Sequence, residues 1–483
     1  MVKMLKNMNG ISARGINKEI FTLALPSILA NITVPIVGMV DIAVAGHQPA
    51  GGLSAATFIG GASIGSMLFD LLYWNFSFLR VGTGGMTAQA YGRGDTRECA
   101  NILTRGIGIS FGVAVLFWIL QWVFVQFAFL CIDCTPEVRE LATRYFYIRI
   151  IAAPATLSLM AFKGWFIGMQ DGVSPMITDL VVNGVNIAVS IYLSLGFTLG
   201  SFTFEGVGFS GIAWGTVAAQ YCGLVTAVAI VLGKFRRRVF SGYGRKDVKA
   251  AFRGGETRRY FTMNADLVVR SLSFIGIYVS FSVIAAHFGD MTLAVSSIML
   301  QVLLLFSYFT DGFAYAGEAM SGKYIGAGHR AGLRLTVRYT FIWSGLVCLL
   351  FMVFYYFGGE WMLEVMTNDR EVIDGCAPYM FWLMVMPAFG CVAFTWDGIY
   401  IGATAARPIR NVMLLSTASF LASYFILAAV FRPDGAMAVH LLLAAYFAHL
   451  VVRSVALTFD YRRTVLSRVS SEMAAGLEDS DKE

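Results

Sequence analysis

Twelve stretches of this 483-residue chain are apolar enough, and long enough, to cross a lipid bilayer, and they follow one another almost without a break. They run roughly over residues 18–45, 54–80, 98–130, 139–169, 176–199, 207–233, 260–288, 293–320, 333–357, 373–402, 409–431 and 436–459. A spanning helix needs about 20 mainly apolar residues, and in hydrocarbon its backbone amides must be satisfied within the segment itself. The chain therefore reads as an all-α integral membrane protein. Hydrophobic types make up 57% of it and charged types 14%, against about 25% charged in an average soluble domain. That leaves too few charges to coat a water-facing surface, and no nucleic-acid partner is expected.

Basic residues set the orientation. The connector between the sixth and seventh segments carries Lys234, Arg236, Arg237, Arg238, Arg245, Lys246, Lys249, Arg253, Arg258 and Arg259, which places it in the cytoplasm. An even number of spans puts both termini there too, in agreement with Lys3, Lys6, Arg14 and Lys18 at one end and Arg462, Arg463 and Arg468 at the other. The opposite connectors hold Asp133, Glu205, Asp290, Glu360, Glu364, Asp369 and Asp434 instead. The apolar run Phe21 to Val44 is too long for a signal-peptide core and is read as a retained first helix. The expected division is a cytoplasmic N-terminus (1–17), a six-helix lobe (18–233), a basic linker (234–259), a second six-helix lobe (260–460) and a cytoplasmic tail (461–483).

The halves resemble each other. At a shift of 234 residues Met86 meets Met320, Gly92 meets Gly326, Gly94 meets Gly328, Glu137 meets Glu371, Val138 meets Val372, Tyr145 meets Tyr379 and Gly168 meets Gly402. One register is thus kept across four helices. An even number of spans separates the copies, so they are parallel repeats, a plan in which transporters commonly place substrate between the repeats near mid-membrane.

Seven cysteines are scattered, with only Cys131 and Cys134 two residues apart, and the five histidines (47, 287, 329, 440, 449) are dispersed. Neither pattern has metal-ligand or redox spacing, so no metal, no organic cofactor and no enzyme activity is expected.

Charges inside the spans carry the functional reading, because each costs roughly 2.5–3.5 kcal/mol at a helix centre and is normally turned toward protein or a wet cavity. Asp41 lies late in the first helix on the face of Val34 and Gly38, with Pro26 and Pro35 upstream, each removing a backbone donor. On the fifth helix Asp179, Asn183, Asn186 and Ser190 recur at spacings of 4, 3 and 4, which stacks them in one stripe. The stripe reads as a cavity lining, with interhelical hydrogen bonding as its alternative. The second half has Asp311 and Glu318 seven apart on its second helix and Asp397 on its fourth. Arg270 and Lys163 are the candidate counter-charges, and a structural salt bridge is the alternative role for each acid, most of all for Glu318.

Four strings together resemble the MATE (multidrug and toxic compound extrusion) transporters, and within them the DinF (DNA-damage-inducible protein F) branch. They are Val40-Asp41-Ile42-Ala43-Val44-Ala45-Gly46-His47, the run from Phe78 to Ala90, Asp311 to Ala319, and Asp397 to Thr404. The resemblance implies a V-shaped bundle of two six-helix lobes that exports organic cations or amphipathic toxic compounds in exchange for inward H⁺ or Na⁺. It implies that Asp41 is the coupling residue, that the first helix bends near Pro26, and that Asn186 and the polar Thr216 of the sixth helix take part. Where relatives carry a second acid this chain has Ser190, which favours H⁺ over Na⁺.

Phe69, Tyr73, Trp74, Tyr308 and Tyr315 are the substrate-lining candidates. The expected setting is the plasma membrane, the inner one in a Gram-negative source, with a monomer binding small amphipathic molecules. A lipid-linked oligosaccharide flippase of the same superfamily is the alternative. It would be expected to line its cavity with cations, whereas the acids noted above predominate here.

Overall fold

A computed structural model describes residues 12–48, 53–132, 134–199, 202–253, 255–367 and 369–469. Twelve long apolar helices fill it. The first lobe holds α1 (Ala13–Gly46), α2 (Ala55–Arg93), α3 (Thr96–Leu130), α4 (Pro136–Gly168), α5 (Val173–Leu195) and α6 (Ser210–Val239). The second holds α7 (Thr257–His287), α8 (Asp290–Gly326), α9 (Arg330–Met366), α10 (Arg370–Gly402), α11 (Ala406–Phe431) and α12 (Gly435–Val469). Outward-facing Leu130, Phe357 and Phe459 are more than four-fifths exposed, as suits side chains whose solvent is lipid.

The expected register of 234 holds from α2 to α5 against α8 to α11, with helix ends matching to within two residues. Pro136–Gly168 maps onto Arg370–Gly402, and the start of α3 at Thr96 onto the start of α9 at Arg330. The left-handed backbone at Gly94 (φ 75°) recurs at Gly328 (φ 66°), and that at Gln170 (φ 62°) recurs at Thr404 (φ 52°). Asp95 caps α3 by accepting from Glu98 N at 2.9 Å, and at the equivalent place His329 Nδ1 caps α9 by accepting from Gly332 N at 2.9 Å.

Two elements differ from the sequence expectation. The second span runs on past residue 80 to Arg93, with a break between Trp74 and Phe78. Its glycine-rich continuation, Gly82-Thr83-Gly84-Gly85, has weak helix propensity, yet almost every residue from Phe78 to Ala90 is buried, so packing decides. Between α5 and α6 the chain forms a hairpin, β1 (Phe197–Leu199) antiparallel to β2 (Phe202–Phe204), with Phe197 opposite Phe204.

The lobes meet at one end only. Hydrogen bonds cross between them from Asn17 to Trp343, Glu19 to Lys323, Asn31 to the Tyr308 carbonyl, Ser77 to Ser271, Thr83 to Tyr260 and Gln89 to Thr404. Among the described residues none crosses from α1 beyond Asn31 or from α2 before Ser77. The cores divide the same way. One continues from Leu68, Phe69 and Trp165 into Phe313, Met320 and Trp396 of the second lobe. The other, around Phe281, Phe306, Tyr355 and Phe420, belongs to the second lobe alone. The molecule is a V whose joined end carries the basic connectors.

Backbone meets backbone at that seam. A Cβ on Gly92 would lie 2.1 Å from the Lys323 carbonyl oxygen, and one on Gly326 would lie 2.1 Å from the Gln89 carbonyl oxygen. These are the same contact seen from the two repeats, and only glycine permits it. The linker lies against α3 beside the seam. Arg105 Nε donates to the Ala251 carbonyl at 2.5 Å, and Arg97 pairs with Asp247, whose carboxyl the Gly244 N–H and that guanidinium hold below the usual carboxylate range.

Candidate functional site

The ionisable groups gather in two places. The first lies inside the first lobe, where α1, α5 and α6 meet. α1 runs unbroken through Pro26 and Pro35, and Ser27 and Thr33 return their hydroxyls to the carbonyls of Leu23 and Ala30 at 2.9 and 2.7 Å. Between Asn31 and Val40 no residue of α1 is buried; burial resumes at Asp41. Gly38 has no neighbour within 4 Å of where a Cβ would stand, so this stretch lies open on its glycine face.

Asp41 is buried, and its Oδ1 has no hydrogen-bond partner. Ser190 is its polar neighbour across the α1–α5 contact, while leaning on the Ile212 carbonyl of α6 at 3.4 Å. Asn186 donates to Thr216 Oγ1 at 3.0 Å, which leaves Asn186 Oδ1 without a partner. Asn183 donates to Thr33 at 2.5 Å. Both asparagines thus bridge helices, the alternative considered for the stripe, and Asn186 also keeps a free acceptor. Asp179, at the other end of that stripe, is paired with Lys163 at 2.6 Å.

One cation stands near Asp41 that the sequence reading missed. Arg149 on α4 is within electrostatic reach of both Asp41 and Asp70. It is held elsewhere, donating to Tyr145 Oη at 3.1 Å and Ser66 Oγ at 3.4 Å and lying 4.8 Å over the Phe69 ring. No ion pair joins it to a carboxylate among the described residues. Phe69 and Tyr73 belong to this interior, stacked with ring centroids 5.5 Å apart.

The second place is a cavity of about 450 Å³ where α2 and the second lobe face each other. Trp74, Tyr308 and Tyr315 line it, as do Asp311, Glu318, Asp397 and Arg270. Arg80 and Arg453, not singled out from the sequence, line it too. Arg453 sits in the apolar run Val451-Val452-Arg453-Ser454-Val455, so the test that found the acids would also have found it.

Two of the three acids are committed. Asp397 Oδ2 accepts from Arg270 at 2.6 Å and from Arg453. Glu318 Oε2 accepts from Arg80 at 3.2 Å, and the Arg80 guanidinium lies 4.5 Å over the Tyr315 ring. Asp311 has no ion pair among the described residues. Glu318 is fully buried against α2, so its partner comes from the other lobe rather than from Lys323, which pairs with Glu19 at 2.8 Å. The cavity is therefore balanced in formal charge, three guanidinium groups against three carboxylates.

The MatE family model matches residues 26–192 and 267–430, one stretch in each lobe. DNA damage-inducible protein F of Escherichia coli is 33% identical over 404 residues, 84% of either chain. The probable multidrug resistance protein NorM of Caulobacter vibrioides is 23% identical over 419 residues, 84% of this chain and 82% of its own. Among solved structures, a MATE transporter in complex with MaL6 superposes with a TM-score of 0.78 at 16% identity, covering 94% of this chain and 97% of that one. A eukaryotic MATE transporter does so with a TM-score of 0.78 at 14% identity, covering 95% and 98%. A family match in each repeat, on a two-lobed frame that superposes on these transporters, makes the chain a member of the MatE family of multidrug and toxic compound extrusion transporters.

Proposed function

We propose that the protein exports amphipathic, chiefly cationic compounds across the plasma membrane in exchange for inward H⁺, by alternating access, and that Asp41 takes up and releases the proton. The observation that carries this reading is the state of Asp41: buried, with one carboxylate oxygen unpartnered and no ion pair among the described residues. Ionisable groups are kept inside membranes at a cost and are functional by default, and a carboxylate already neutralised by an arginine has no use for a proton.

With the basic end in the cytoplasm, both described chain ends lie there and the V opens outward, with Asp41 in the outer half of α1. A proton arriving from outside removes the charge that faces Ser190. α1 then rearranges about Pro26 and Pro35, where the carbonyls of Thr22 and Asn31 have no N–H four residues on, and the substrate leaves. One inward proton against one outward monovalent cation moves no net charge, so the pH difference drives that exchange, about 1.4 kcal/mol and roughly tenfold in substrate gradient per pH unit. For a guest with no net charge, 100 mV adds about 2.3 kcal/mol per proton. Ser190 in place of a second acid leaves a single carboxylate here, too little charge for a well-bound Na⁺.

The test is export of a fluorescent cation from cells or inverted vesicles, wild type beside Asp41→Asn, with H⁺ and Na⁺ gradients imposed separately. Proton-driven export should fall to background in the variant. Intact export would remove Asp41 from the mechanism, and export driven by sodium alone would remove proton coupling.

A further inference from the structure

We infer that the cavity between α2 and the second lobe is built for zwitterionic amphipaths: it receives a carboxylate at Arg270 and Arg453 and an ammonium group at Asp311. The inference rests on the export function proposed above and, within its amphipathic substrates, moves the favoured guest of this cavity from simple cations to zwitterions. Asp397 offers one oxygen, Oδ2, to two guanidinium groups. A single carboxylate between two arginines leaves that cluster with an excess of one positive charge. Its hydrogen bonding is incomplete with a surplus of donors: among the described residues Arg270 Nε and Arg453 Nη1 donate to nothing, against the one acceptor, Asp397 Oδ1, that receives nothing. Arg453 is 3% exposed, and a buried cation with spare donors is costly unless an acceptor reaches it.

The opposite charge faces it from α8. Among the described residues Asp311 has no hydrogen bond or ion pair, and Arg80, Arg270, Arg453 and Asp397 are the charged groups within its electrostatic reach. Glu318 and Arg80 cancel each other. The charged groups on every helix around the cavity are then accounted for: Arg80 on α2, Arg270 on α7, Asp311 and Glu318 on α8, Asp397 on α10 and Arg453 on α12. What remains is one positive site and one negative site within a single chamber, walled by the rings of Trp74, Phe274, Tyr278 and Phe394. A purely cationic guest would leave the arginine donors unmet, and a purely anionic one would meet Asp311 as a like charge. A planar molecule with both groups satisfies both ends.

Rhodamine 6G, a cationic ester, and rhodamine 19, the zwitterion left when that ester is cleaved, differ only at the group in question. Their binding to the purified full-length protein can be followed by fluorescence anisotropy. Wild type should bind rhodamine 19 roughly tenfold tighter, the scale of one charge-assisted pair. Arg270→Gln should erase that preference while tightening rhodamine 6G, and Arg270→Lys should keep most of it. Asp311→Asn should weaken both dyes. Equal or tighter binding of rhodamine 6G by wild type, loss of both dyes in parallel on Arg270→Gln, or binding of neither dye would overturn the inference. The export assay on wild type, scored with rhodamine 6G alone, decides the parent function separately.

Discussion

Asp41, Asp179, Asp311, Glu318 and Asp397 stood out in the sequence as intramembrane acids, and their surroundings set them further apart. Asp41 has no ion pair to lose among the described residues, so Asp41→Asn should leave the melting temperature of the purified protein unchanged or raised even as export fails. Glu318→Gln should behave in the opposite way, because it strands the Arg80 guanidinium against a buried amide. Removing one member of a buried pair costs about 3–5 kcal/mol, and a further Arg80→Met change should return part of that loss in a double-mutant cycle of thermal unfolding. The acids were legible because each interrupts an apolar run. Their partners were only partly so. Arg270 was named, but Glu318 is answered by Arg80, 238 positions away on another helix, and no local pattern pairs residues across lobes. Arg149 escaped notice at the edge of a polar stretch, where Arg144 and Tyr147 make it look interfacial.

At the level of helices, hydropathy located the spans but could not say where α2 ends. Its last four turns are glycine-rich because α4, α7 and α8 press on them, which is information about neighbours. Gly92→Val should therefore cost about 1–3 kcal/mol of overpacking, read as a lowered melting temperature. Gly112→Val on α3, with nothing within 4 Å of its would-be Cβ, should not. The β1–β2 hairpin was legible in principle. Phe197-Thr198-Leu199 and Phe202-Thr203-Phe204 alternate around Gly200-Ser201, a hairpin signature hidden by the apolar tail of α5. The repeat register across the middle four helices of each lobe, by contrast, was readable, since the matched glycines mark the same backbone requirements in both halves.

For the whole molecule, alternating access requires the joined end of the V to part. Ser77 Oγ and Ser271 Oγ are 3.3 Å apart across it. Ser77→Cys with Ser271→Cys, in a background freed of native cysteines, should form a disulfide that stops dye export and releases it again on reduction. Export that persists while the crosslink is intact would mean that the lobes do not separate there. Reporter fusions at the linker near Arg245 should score as cytoplasmic.

The glycine-lined seam bears on how costly such a separation would be. Interlocked hydrocarbon side chains, once pulled apart, present grease to water and resist. Two bare peptide surfaces have little to unlace, and each uncovered carbonyl still has a lone pair to offer. Solvent seeping in from the basic side would wet both faces as they part, so this closure is one that water itself can help to open.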